Sequence, residues 1–306
     1  MTTQIIKAPS SAFSSVGGDQ YNNCSFSHPD ASARLTNSSN KQPTPLPFID
    51  APNDFLSARF TGRKKELALI AKALERLGRD APMRCVLFGN RGVGKSQLTY
   101  QWANLTFAHG ENHYVVWISA TTVEKLYQGF YRLLHFVNHP DRSHPEQGVR
   151  LAAAQRWFEE VDSGNWLLVL DNVFPATLDF LRQHLPRQNG RGSILFTTRT
   201  RHLAIALASA PGERHEVIEV PLLSVDDGVE LFLGHFENGG INAPSATVEE
   251  IVKSVGCLPL AISHAASYMK QTGSTADDTL QPYANQHRID VSLCAGLLCS
   301  YTHFTR

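Results

Sequence analysis

Apolar residues recur at helical spacing from Lys64 to Leu77 (KKELALIAKALERL), and Gly78 supplies the stop. The next run, Cys85-Val86-Leu87-Phe88, is short, wholly apolar and followed by glycine, as expected of a strand buried on both faces of a parallel sheet. The pattern then predicts a helix from Lys95 to about Ala108, a strand from Tyr114 to Ile118, and helices from Val123 to Val137 and Gln147 to Val161. A strand from Trp166 to Leu170, a helix from Ala176 to Leu185 and a strand from Ser193 to Thr197 follow. A helix from Arg201 to Ala208 and a strand from Glu216 to Val220 complete the series. Apolar strands alternating with amphipathic helices predict an α/β fold with a doubly wound parallel sheet. Residues 225–272 carry only helical patterns, at Asp226 to His235, Thr247 to Val255 and Pro259 to Lys270, and so predict a small all-helical subdomain.

The two ends lack such periods. Residues 1–57 are rich in Ser, Asn, Thr, Gly and Pro and predict a disordered tail, with Pro43, Pro45, Pro47 and Pro52 stiffening its approach to the fold. Gly17 to Phe26 is polar with spaced aromatics, a composition open to β self-association or to a plain flexible segment. Residues 273–306 show no clear periodicity and take no assignment. The expected organisation is a tail at 1–57, a sheet domain at 58–222, a helical subdomain at 223–272 and an unassigned tail at 273–306.

Charge and cysteine usage narrow the partners. Lys plus Arg and Asp plus Glu each number 28, so the net charge is zero, whereas a general nucleic-acid or acidic-membrane binder needs a basic surplus. No apolar run approaches the roughly 18–20 residues that cross a bilayer, and the start has no signal-peptide core. Five scattered cysteines with no CxxC fit thiols in a reducing compartment, which makes the cytoplasm the expected location. His135, His139 and His144 are the densest histidine group, but no cysteine or carboxylate pair accompanies them, which disfavours zinc.

The chemistry lies in three segments. Gly89-Asn90-Arg91-Gly92-Val93-Gly94-Lys95-Ser96 fits G-x-x-x-x-G-K-[ST], the P-loop. Glycines let the backbone wrap phosphate oxygens with its N–H groups, and the following helix adds its positive end. Lys95 is placed to reach the β and γ phosphates, and the Ser96 hydroxyl to ligate Mg²⁺. Trp166 to Asn172 (WLLVLDN) is a buried strand whose Asp171 falls at the C-terminal edge beside the P-loop, where the metal needs an oxygen. The following position is Asn172. Its amide orients water but takes no proton, so any hydrolysis is expected to be slow. Gly192 to Arg199 (GSILFTTR) is a third strand ending in a cation, and Arg199 is placed to sense a γ-phosphate or, alternatively, to sit on the surface. Lys95, Asp171, Asn172 and Arg199 are therefore the candidate catalytic residues.

Phe60-Thr61-Gly62-Arg63, GNRGVGKS, WLLVLDN, SILFTTR and Gly256-Cys257-Leu258-Pro259-Leu260-Ala261 occur in the order and spacing of the NB-ARC family, which the chain resembles over about residues 57–272. That family comprises the nucleotide-binding switch domains of plant disease-resistance proteins, apoptotic protease-activating factors and fungal relatives. The resemblance implies a STAND-type P-loop NTPase that binds ADP or ATP with Mg²⁺ and acts in signal transduction of the innate-immunity kind. It also implies that Arg63 lines the adenine pocket, that Gly92 to Ser96 with Gln97 and Leu98 hold the phosphates, and that Asp171 holds Mg²⁺. Arg199 would be the sensor arginine, and Pro259 would press the helical subdomain onto the base. Two departures stand out. The family usually has a second acid where Asn172 lies, and its members continue into a winged-helix subdomain with a methionine-histidine-aspartate motif and then repeats. The chain reaches Arg306 without either, which suggests a truncated member.

The leading expectation is an ADP/ATP switch with slow or absent hydrolysis that acts by self-association or with other NB-ARC proteins. The alternative is a truncated ADP-binding interaction module without turnover. A small-molecule P-loop kinase ranks below both, since no arginine-rich lid is evident.

Overall fold

Parallel strands need both faces covered, and the largely apolar central strands found here are buried between helices. The computed structural model describes residues 45–52, 60–75, 80–209, 215–236 and 245–273. Among them the strands are β1 (Phe48–Asp50), β2 (Met83–Phe88), β3 (Tyr114–Ser119), β4 (Trp166–Val173), β5 (Gly192–Thr198) and β6 (Glu216–Glu219). They form one sheet in the order β1-β3-β4-β5-β2-β6, and every pairing is parallel.

Alternation along the strands assigns side chains to two cores. Val86, Val116, Leu168 and Phe196 face helices α3 (Val123–Phe136), α4 (Gln147–Glu159), α5 (Leu178–His184) and α6 (Arg201–Ala208). Cys85, Val115, Leu167 and Leu195 face α1 (Lys64–Ala73) and α2 (Lys95–Ala108) on the other side. A third core, centred on Phe232, Val248, Ile251 and Ile262, joins α7 (Val225–Gly234), α8 (Ser245–Ser254) and α9 (Pro259–Thr272). The α/β fold with a doubly wound parallel sheet and a following helical unit is thus present.

One expectation needs correction. Phe48–Asp50 falls within the segment 1–57 expected to be disordered, yet it is an edge strand in register with Tyr114–Val116. Its short apolar face is held by Phe136, stacked at 4.8 Å, and by Tyr114 at 5.5 Å. Arg132 Nε donates to Asp50 Oδ2 at 2.7 Å, and the Tyr114 hydroxyl donates to the Pro45 carbonyl at 2.9 Å. Three residues carry too little periodicity to be recognised, and the contacts that fix them lie more than sixty residues away. Residues 1–44 and 274–306, with the expectations made for them, lie outside the described residues.

Element ends shift by a few positions. Strand β4 runs three residues beyond Leu170, and its pairing with β5 breaks register between Leu170 and Val173. Asp171 and Asn172 occupy that irregularity, Asn172 with a left-handed φ of 58°. A bulge of this kind re-aims side chains at a sheet edge.

Candidate nucleotide-binding site

The loop between β2 and α2 carries the Gly89–Ser96 motif, and Gly94 is the N-cap of α2 with φ 92°. Gly92 has φ 83°, and a Cβ there would lie 3.1 Å from Leu260 Cβ. Only glycine meets both demands without strain. The amides of Lys95, Ser96 and Gln97 open α2 and have no acceptor within their own helix, so they form an anion-binding end. Gly89 and Asn90 stand back from the cavity. Their carbonyls accept from the Lys95 ammonium at 2.8 and 2.9 Å. Burial pushes the Lys95 ammonium down to about 8, helped by the Arg199 cation and opposed by the Asp171 carboxylate.

The metal side is built by the start of α2 and by strands β4 and β5. The Ser96 hydroxyl lies 2.9 Å from Asp171 Oδ1 and 3.1 Å from Oδ2. Thr197 on β5 donates its hydroxyl to Asp171 Oδ1 at 2.5 Å and accepts the Asn172 amide at 2.8 Å. Asp171 is 8% exposed and so is fixed by neighbours rather than by water. A hydroxyl and a carboxylate are hard oxygen donors, and they fit Mg²⁺. Ser96 and Asp171 would hold it, where it would neutralise phosphate charge. Arg199 lies at the mouth of the same cavity with its guanidinium carbon 5.2 Å from the Phe174 ring centroid.

These groups line a cavity of about 700 Å³. Arg91, Gly92, Val93, Gly94, Lys95, Ser96 and Gln97 bound one end with Asp171, Asn172 and Arg199. Phe60, Leu223, Leu231, Pro259 and Leu260 add apolar surface to the same lining, with Thr61, His235 and Ser263. A lining that combines cationic and polar groups with apolar side chains fits a nucleotide. Pro259 is the first residue of α9, and the following amide, Leu260 N–H, donates to the Gly92 carbonyl at 3.2 Å.

Arg63 lines the cavity too, but its guanidinium is committed elsewhere. Nη2 donates to the Val93 carbonyl at 2.9 Å and to the Pro221 carbonyl at 2.8 Å, and Nη1 meets Glu66 Oε1 at 3.3 Å. Thr197 lies within the SILFTTR run, but its role at Asp171 depends on β4–β5 register and has no mark in that run alone. Leu223, Leu231, His235 and Ser263 join the site only through folding, and no local signal marks them. The histidines weighed for zinc serve turns: His139 Nδ1 accepts the Asp141 amide and His144 Nδ1 the Glu146 amide, each at 3.1 Å.

Comparison with known proteins gives a family and a fold. The family model described as "NB-ARC domain" matches residues 64–238. A nucleotide-binding leucine-rich repeat (NLR)-like protein of Hyaloscypha variabilis is 26% identical over 254 residues, 78% of this chain and 25% of that protein. The chain therefore spans about a quarter of the length of that curated relative. Among solved structures, Cdc6p from Pyrobaculum aerophilum matches with a TM-score of 0.56 at 16% identity, covering 81% of this chain and 75% of the other. The Walker-type ATPase PABY2304 of Pyrococcus abyssi matches with a TM-score of 0.54 at 16% identity, over 81% and 77%. The Aeropyrum pernix ORC2 protein, solved as ADPNP and ADP complexes, matches with a TM-score of 0.54 at 14% identity, over 79% and 73%. At such identities the likeness is one of fold.

Proposed function

Because the chain belongs to the NB-ARC family, we propose that it is an ADP/ATP-binding signalling switch, with Mg²⁺ held at Ser96 and Asp171 and with slow or absent hydrolysis. The observation that carries this reading is the shared cavity, walled by the P-loop on one side and by α7 and α9 on the other. A γ-phosphate adds charge only at the sheet wall, near Lys95 and Arg199, while the base end rests against the helices. Exchange of ADP for ATP therefore biases how the two walls sit, which is the requirement for a two-state switch. The output is self-association or pairing with other NB-ARC proteins, as the likeness to an NLR-like protein suggests. The free thiols of Cys85 and Cys257 suit the cytoplasm. Among the described residues no helix is long and apolar enough to cross a membrane.

A second reading is a nucleotide-holding module without turnover. Asn172 favours it, since the residue that lines the cavity beside Asp171 has no carboxylate to accept a proton from water.

The test is to release bound nucleotide with acid from the purified protein, identify it by chromatography, and then titrate the stripped protein with ADP and ATP. Co-purifying ADP, with size-exclusion profiles that differ between ADP and ATP, supports the switch. Equal profiles with tight ADP binding favour the module, and absence of nucleotide affinity overturns both.

A further inference from the structure

Two consecutive carbonyls of the P-loop, those of Gly92 and Val93, are each held by a different part of the chain. Leu260 at the start of α9 donates its amide to Gly92 O at 3.2 Å. Arg63 at the start of α1 donates to Val93 O at 2.9 Å and, through the same Nη2, to Pro221 O at 2.8 Å. Pro221 lies in the connection between β6 and α7. Two residues on, the Leu223 amide donates to the Cys257 carbonyl at 3.2 Å, and Cys257 leads through Leu258 and Pro259 back to Leu260. The contacts close on themselves: P-loop, Arg63, connection, the turn before α9, P-loop.

Several features mark this circuit as constructed rather than incidental. Arg63 is 8% exposed, and its charge is answered by Glu66 and by carbonyl dipoles rather than by solvent. Arg63 and Cys257 both have left-handed backbones, with φ 61° and 53°, which is costly for residues with a Cβ and persists where surrounding contacts dictate it. Both carbonyls are held by the two N–H groups of one planar nitrogen, Nη2, and the guanidinium plane is itself fixed through Nη1 to Glu66. The positions of the Val93 and Pro221 carbonyls are thus tied together in a way that a lysine ammonium on a flexible stem does not reproduce.

We propose that Arg63 is a positioning residue that couples the P-loop to the β6–α7 connection, and that this hydrogen-bonded ring reports phosphate occupancy to the helical subdomain. Arg63 acts through the Val93 and Pro221 carbonyls and not by touching the base. The proposal rests on the nucleotide-binding reading. Phosphates wrapped by the P-loop amides fix the Gly92–Val93 peptides, and the peptides' carbonyl sides stiffen both arms of the ring.

The experiment uses the full chain and hydrogen exchange of the peptides carrying the Leu223 and Leu260 amides, with and without ADP and Mg²⁺, beside calorimetry of ADP binding. In the native protein ADP should slow exchange at Leu223 by about tenfold or more. In Arg63→Lys, ADP should still bind with affinity reduced by less than about tenfold, while Leu223 exchange no longer responds. Arg63→Met, which keeps the stem and has no donor, replaces the lysine variant if that protein does not fold. A Leu223 response in either variant equal to that of the native protein overturns the coupling, as does native protein that binds ADP with no response at Leu223. Native protein that binds no ADP overturns the nucleotide reading itself, and the calorimetry separates that outcome from the others.

Discussion

The Ser96 hydroxyl sits 2.9 Å from Asp171 Oδ1, so a residue opening α2 and a residue 75 positions later, on β4, meet at a single carboxylate. Strand β5 lies between β2 and β4, and its Thr197 hydroxyl fills the space between them by donating to the same oxygen. The carboxylate is thereby aimed before any ligand arrives, which is the usual condition for a rigid first contact with a cation.

Thr197→Val keeps the shape of the side chain and removes both of its hydrogen bonds. The Asn172 amide loses its acceptor and Asp171 loses a donor. The expected cost is about 1–3 kcal/mol, or a fall of about 2–4 °C in Tm per kcal/mol for a chain of this size. Thermal denaturation of the stripped protein measures it, and Mg²⁺ dependence of ADP affinity should weaken in parallel.

Lys95→Ala should weaken ADP and ATP by tenfold or more, about 1.4 kcal/mol at the least, as measured by calorimetry. In the free protein the ammonium is already lowered from 10.5 to about 8. Phosphate favours the charged form, so binding above about pH 8 should take up a proton and lose affinity as pH rises. Titrations in buffers of different ionisation enthalpy should show that uptake in the native protein and none in the alanine variant. For stability the sign is opposite. Between about 8 and 10.5 the unfolded chain holds the proton more tightly than the native one, so this lysine destabilises the free protein below that window and the penalty lifts as pH rises through it.

Asn172→Asp supplies the missing acid at a left-handed position that Asp tolerates. Steady-state phosphate release should rise several-fold where activation of water limits turnover. An unchanged rate, with single-turnover measurements excluding slow nucleotide release, would show that a proton acceptor at position 172 does not set turnover.

Gly92→Ala and Gly94→Ala should separate two roles of P-loop glycines. Both positions have left-handed φ, 83° and 92°, but a Cβ at Gly94 meets nothing within 4 Å while one at Gly92 meets Leu260 and Leu258 at 3.1 and 3.4 Å. Each variant bears the backbone strain, and Gly92→Ala adds overpacking of about 1–3 kcal/mol. Chemical denaturation should rank Gly92→Ala below Gly94→Ala by that margin.

Much of the site was legible because its chemistry is local in sequence. The phosphate loop needs glycine, lysine and serine at fixed offsets, and Asp171 follows a buried apolar run some 75 residues further on, a pairing more telling than either alone. Arg63 shows where such reading stops. Its arginine was recognisable from the Phe60–Arg63 motif, but its partners are carbonyls 30 and 158 residues away, and main-chain acceptors leave no trace in side-chain identity. Phe48–Asp50 escaped for the matching reason, since a three-residue strand is specified by the edge it joins. The bulge at Asn172 likewise depends on register with β5, which periodicity along one strand does not contain.

The sheet also acts as a gauge. β2 and β4 stand two strand spacings apart, about 9.6 Å, a separation set by main-chain hydrogen bonding across β5. Ladders of that kind do not stretch with ligand identity, so the span from the end of β2, where the lysine-bearing loop begins, to the acidic strand is the same whichever nucleotide enters. Any displacement a ligand provokes must then be absorbed by the opposite wall, where single contacts such as Leu260 to Gly92, rather than whole ladders, set the stiffness.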